Sequence, residues 1–118
     1  MPLKFDVSKT VYYGIDFHST SENVFYPINK KVKTFPDDFT QTWVSQIIKD
    51  NPNVPFGVEE FDTSSPISKN WLYKTFGCDA LTYEVADELD GEQLETVAKN
   101  AAQSLMRLLI LEWTKNNP

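Results

Sequence analysis

Apolar residues along this chain fall into short bursts separated by polar turns, and into two longer stripes of helical period. Residues 10–18 are rich in β-branched and aromatic side chains and predict a strand buried on both faces. Residues 23–28 predict a short strand or a turn. Asn29-Lys-Lys-Val-Lys-Thr34, ended by Pro36, reads as a polar loop. Asp37 or Asp38 is placed to cap a helix running to about residue 49. Phe39, Trp43 and Ile47 would form its inner face, with Ile48 a further candidate. The Asp50-Asn-Pro-Asn53 cluster stops that helix.

Val54–Phe61 is a second strand candidate, weakened by Pro55 and Gly57. Thr63-Ser-Ser-Pro66 reads as a loop. Ser65 or Ser68 then opens a short helix through Phe76, closed by Gly77. Residues 80–86 give the clearest strand. Leu81, Tyr83 and Val85 fall on one face, and Thr82, Glu84 and Ala86 on the other. Asp90 or Gly91 opens the last helix, about 93–115, with Leu94, Val97, Ala98, Ala101, Leu105, Leu108, Leu109 and Trp113 at helical spacing. Met106, Ile110 and Leu111 widen that stripe, so burial on more than one side is expected. Strands alternating with helices indicate an α/β layered sheet.

Length bounds the chain to a single domain or part of one: 118 residues suffice for one core but are few for a complete hydrolase. A net charge of −6 with no basic stripe argues against a nucleic-acid backbone as partner. No stretch is long enough to span a bilayer, and Met-Pro-Leu-Lys lacks the apolar core of a signal peptide. The expectation is a soluble protein, cytoplasmic or periplasmic. A single cysteine, Cys78, excludes an intrachain disulfide, and its turn setting looks structural.

Two positions carry candidate chemistry. His18, the only histidine, ends the first strand. A lone histidine is most often a hydrogen-bonded residue at a strand end, but neutral imidazole is also the common protein donor for zinc. Asp16 lies on the same strand face and could orient it. Glu84 sits in a strand whose flanks are apolar, where an acid needs a partner or a purpose. Beside an activated water, such a carboxylate serves as general base. The remaining aromatics of the early strands, including Phe5, Tyr12, Tyr13, Phe17, Phe25 and Tyr26, are assigned to core packing. Asp87, Glu88, Asp90 and Glu92 are explained by a solvated helix N-terminus.

Three segments, Asp16-Phe-His-Ser-Thr-Ser-Glu-Asn-Val-Phe-Tyr-Pro27, Ser68-Lys-Asn-Trp-Leu-Tyr73 and Leu81-Thr-Tyr-Glu-Val-Ala-Asp-Glu88, resemble in order and spacing the C-terminal half of the zinc metallocarboxypeptidases, the carboxypeptidase A-like family. The resemblance covers most of residues 10–115. It implies a layered α/β/α fold with a mixed sheet, His18 as the third zinc ligand, and Glu84 as the glutamate that activates water and passes its proton to the leaving amine. It further implies that Ser19 and Thr20 line the substrate cleft, with Trp71 and Tyr73 near the approach to the base.

The departures are equally specific. The family's first two zinc ligands come from an upstream His-x-x-Glu motif, and no second histidine exists here. The only arginine, Arg107, lies on the last helix, away from any role in clamping a substrate carboxylate. Glu60-Phe-Asp-Thr-Ser-Ser65 lacks the family's mobile tyrosine, and Ala86 stands where glycine is frequent. Catalytic zinc takes three protein ligands plus water, so this chain alone is expected to carry an incomplete zinc site and to be inactive. The leading expectation is a zinc-dependent hydrolase of C-terminal peptide bonds. A zinc deacylase of the succinylglutamate desuccinylase and aspartoacylase kind, acting on acyl-amino acids, is the alternative. From another class comes a non-catalytic fragment that binds a peptide or a partner, or self-associates through a surface left by a missing half.

Overall fold

The computed structural model describes residues 11–60, 67–88 and 90–116. In chain order they form β1 (Tyr13–Thr20), β2 (Val24–Pro27), α1 (Phe39–Asp50), β3 (Gly57–Val58), α2 (Ser68–Phe76), β4 (Asp79–Ala86) and α3 (Gly91–Asn116). The strands make one mixed sheet in the order β1-β4-β2-β3. β4 runs parallel to β1 and antiparallel to β2, while β3 runs parallel to β2. The expected layered α/β architecture is therefore present.

Chain neighbours are not sheet neighbours at the first turn. β1 and β2 are joined by only Ser21-Glu22-Asn23, yet β4 lies between them. The connection crosses the C-terminal end of β4 and ties it down. Ala86 N donates to Asn23 Oδ1 at 2.8 Å, and Asp87 N donates to the Thr20 carbonyl at 2.7 Å.

The two faces of the sheet are chemically unlike. Tyr13 and Ile15 of β1 and Leu81, Tyr83 and Val85 of β4 pack with Phe25, Trp43, Val44, Ile47 and Ala101 into the apolar core beneath α1 and α3, while Phe17, further along β1, is 65% exposed. Trp43 fastens the two helices by donating from Nε1 to the Ala101 carbonyl at 3.0 Å. The other face is covered at its lower end by α2. Gly14 makes this contact possible: a Cβ there would overlap the Leu72 side chain.

Several expectations shift. In α1 the buried positions are Phe39, Thr40, Trp43, Val44 and Ile47, an i, i+1, i+4, i+5, i+8 stripe, and Ile48 points outward at 38% exposure. The strand expected over Val54–Phe61 shrinks to two residues at the sheet edge, after Pro55 (Phe61 lies outside the described residues). The loop at Thr63–Pro66 also lies outside them, whereas α2 does start at Ser68 and ends at Gly77, whose φ of 70° is the left-handed cap a glycine takes readily.

α3 contradicts the expectation of burial on several sides. Val97, Ala101 and Ser104 are buried and Leu105 and Leu108 half-buried, but Met106, Ile110, Leu111 and Trp113 are all more than half exposed. Only one side of α3 meets α1 and the core; apolar composition alone could not tell one covered side from two.

Candidate functional site

The polar face of the sheet is built by strand alternation. Asp16 and His18 on β1 and Thr82 and Glu84 on β4 project to the same side, because the parallel register pairs Asp16 with Thr82 and His18 with Glu84. The antiparallel register with β2 adds Tyr26, paired with Thr82. These five side chains, with Ile67 and Ser68 at the start of α2, line a cleft of about 410 Å³. The cleft opens toward the C-terminal ends of the parallel pair, the usual place for ligands in open α/β sheets. His18 and Glu84 thus stand side by side on adjacent strands.

Asp16 holds His18. The imidazole Nε2 donates to Asp16 Oδ2 at 2.8 Å. That hydrogen bond, followed by the charge of Asp16, raises the His18 pKa, and Glu84 adds a smaller push in the same direction. With Nε2 engaged, the neutral ring keeps its lone pair on Nδ1, as in carboxylate–histidine–metal arrangements. The ring is half exposed, with a side-chain accessibility of 52%.

Tyr26 is a cleft residue and not the core residue its sequence setting implies, and it stands diagonal to Glu84 across the β2–β4 pairing. Burial first, then the charges of Glu84, Glu59 and Glu22, raise its pKa. Thr82 is only 8% exposed, and its hydroxyl has no hydrogen-bond partner among the described residues. A buried hydroxyl at a cleft wall calls for a hydrogen-bond partner.

Other candidates lie elsewhere. Ser19 is exposed on the opposite face of β1, and the Thr20 carbonyl accepts from Asp87 at the crossing; neither lines the cleft. Trp71 packs edge-on against Phe76, and Tyr73 donates from its hydroxyl to the Lys33 carbonyl at 3.4 Å. Cys78 is buried, its thiol pushed up by desolvation and set against the Leu72 carbonyl. Asp90 caps α3, accepting from Gln93 N at 2.8 Å, and Glu92 lies in the first turn of that helix. Arg107 is exposed on α3.

Among the described residues no group of three or more His, Cys, Asp or Glu is arranged to hold a metal ion. His18 qualifies as one oriented imidazole donor, but these residues do not by themselves satisfy the three protein ligands that catalytic zinc requires. No helix among them is long and apolar enough to cross a membrane.

No protein-family model matches the chain, and no curated protein matches it. Among solved structures, it is similar to a metallo-carboxypeptidase from Burkholderia cenocepacia, with a TM-score of 0.53 and 12% identity. The match covers 92% of this chain and 32% of that chain, so this sequence spans about a third of its structural neighbour's length. At that identity the likeness shows a carboxypeptidase-like fold.

Proposed function

We propose that this chain forms the part of a zinc-dependent peptide hydrolase that carries one zinc-ligating imidazole, His18, and the general base, Glu84. The observation that carries the reading is the β1–β4 register, which sets His18 directly beside Glu84 in one cleft on a carboxypeptidase-like sheet. Thr82, whose buried hydroxyl in the same wall has no partner among the described residues, supports ligand binding there.

Zinc would supply Lewis-acid activation of water, and further ligands than those described here are needed to hold it. The chain's own contribution is proton handling and orientation. Asp16 fixes the ring of His18 so that Nδ1 is the available donor. The Glu84 carboxylate accepts a proton from water in the cleft and returns it to the departing amine.

A second reading, a deacylase of acyl-amino acids, uses the same pair. It is kept open by one feature of the sequence: Glu60-Phe-Asp-Thr-Ser-Ser65 holds no tyrosine.

The test is substitution in the polypeptide as it is naturally expressed, assayed on a blocked dipeptide with a free C-terminus and on an N-acyl amino acid. Glu84→Gln should lower turnover by about a hundred- to ten-thousand-fold, the usual range for a general base, with zinc content unchanged. His18→Ala should lose the metal. Turnover that survives Glu84→Gln would remove Glu84 from the role of base.

A further inference from the structure

Glu84 lies on a central strand of the sheet, with β1 on one side and β2 on the other. Its β1 neighbour is His18 and its direct β2 partner is Val24, whose side chain is buried. Two residues along β2 on the same face stands Tyr26, diagonal to Glu84 at a spacing that a long side chain spans. The Tyr26 phenol and the Glu84 carboxylate line the same cleft, and the charge of Glu84 acts on the phenol. Tyr26 therefore flanks Glu84 from the side away from His18.

We propose that Tyr26 is a positioning residue for Glu84, holding the carboxylate so that one oxygen is occupied by the phenol and the other faces the cleft between β1 and β4. A carboxylate on a three-carbon side chain has several rotamers available beside an open cleft, and only some aim it toward His18. A phenol fixed on the next strand selects among them. It does so at low entropic cost, because the tyrosine ring has two torsions and is itself half-buried. Pro27, the residue after Tyr26, is buried and ends β2, which fixes the backbone from which the ring projects. The role assigned to Tyr26 rests on Glu84 acting as base.

Two measurements test this and separate its failure from that of the function proposed above. The first needs no activity. In denaturant unfolding of the 118-residue chain, Tyr26→Phe should lower the midpoint in the native background and leave it unchanged in a Glu84→Ala background. Equal shifts in both backgrounds would show that the hydroxyl does not act on Glu84 and would overturn the proposal. The second is kinetic, in the naturally expressed polypeptide on the blocked dipeptide. Tyr26→Phe should lower kcat about tenfold with KM unchanged, a fraction of the full contribution of a general base. Loss in Glu84→Gln together with full kcat in Tyr26→Phe overturns the positioning role and leaves Glu84 as base. Full activity in Glu84→Gln overturns the functional reading, and the positioning role with it.

Discussion

Asp79 holds together the start of α1 and the start of β4, and removing it gives a quantitative test of how this fold is tied. Asp38, at the N-cap of α1, sits at φ 55° and makes no side-chain cap bond. The cap comes instead from β4: Thr40 N donates to Asp79 Oδ2 at 3.0 Å, and Ala80 N donates to Asp79 Oδ1 at 2.9 Å. Thr40 and Asp79 are buried, with 0% and 2% exposure, so water cannot replace these bonds. Asp79→Ala strands a buried amide, a loss of about 1–3 kcal/mol, within the same range as loss of a helix cap. With an unfolding entropy of roughly 0.25 kcal/mol/K for a chain of this size, a loss of about 2 kcal/mol lowers Tm by about 8 °C. Asp79→Asn keeps one carbonyl acceptor for Thr40 N and should lose less.

The pH dependence follows from the same site. Burial raises the Asp79 pKa, against the hydrogen bonds from Thr40 and Ala80 that lower it. With the folded value above the unfolded one, stability is greatest below the unfolded carboxylate range. It falls as pH rises toward the folded pKa, because the unfolded chain releases its proton first. Asp79→Asn abolishes that slope, so its stability relative to the native protein should improve as pH rises through and above the unfolded carboxylate range. Thermal unfolding followed by circular dichroism measures both effects. An unchanged Tm in Asp79→Ala would refute capping across the 39-residue separation, and a pH-independent gap for Asp79→Asn would refute the electrostatic account.

Three further outcomes are expected. Trp43→Phe loses the Ala101 bond and leaves a void between α1 and α3, costing about 2–3 kcal/mol in urea unfolding; a loss under about 0.5 kcal/mol would contradict the role of Trp43 as fastener. Gly14→Val should cost about 1–3 kcal/mol by driving α2 off the sheet, with Leu72→Ala restoring part of the loss in the double variant; equal additive losses would show that the two do not meet. Because His18 is the only histidine, its ring-proton NMR titration is unambiguous: its midpoint should lie above that of a histidine in an unfolded peptide and drop in Asp16→Asn. The ion pair's contribution to stability is present below the unfolded pKa and disappears as pH rises through the folded one, and an unshifted midpoint in Asp16→Asn would break the pairing.

How much of this was legible in the sequence depends on the range of the interaction. Gly77 ends α2 as its local chemistry dictates, and the alternation of Leu81, Tyr83 and Val85 against Thr82 and Glu84 was readable because the period of a strand is a local property. The Asp79 cap was not, since Asp37 and Asp38 offered a nearer acid and only the folded sheet brings β4 to the helix start. Insertion of β4 between two strands joined by a three-residue turn was equally hidden, and so was the face on which Tyr26 emerges. Tyr26, flanked by Phe25 and Pro27, shows the composition of a core residue, and its polar tip was informative only once Glu84 stood beside it. His18 and Glu84 were nominated separately by strand period and together only through the family resemblance; their adjacency is a property of register, which pairs residues 66 positions apart.

The place of β1 at the rim of the sheet has a consequence for motion. Among the described strands, β4 is hydrogen-bonded on both flanks and β1 on one. Opening the β1–β4 ladder therefore frees His18 and Asp16 together, still bonded to each other, while Glu84 and Tyr26 stay anchored through β2. The cleft divides along the boundary between two units of different local stability, and amide protons of β1 exchange with solvent ahead of those of β4.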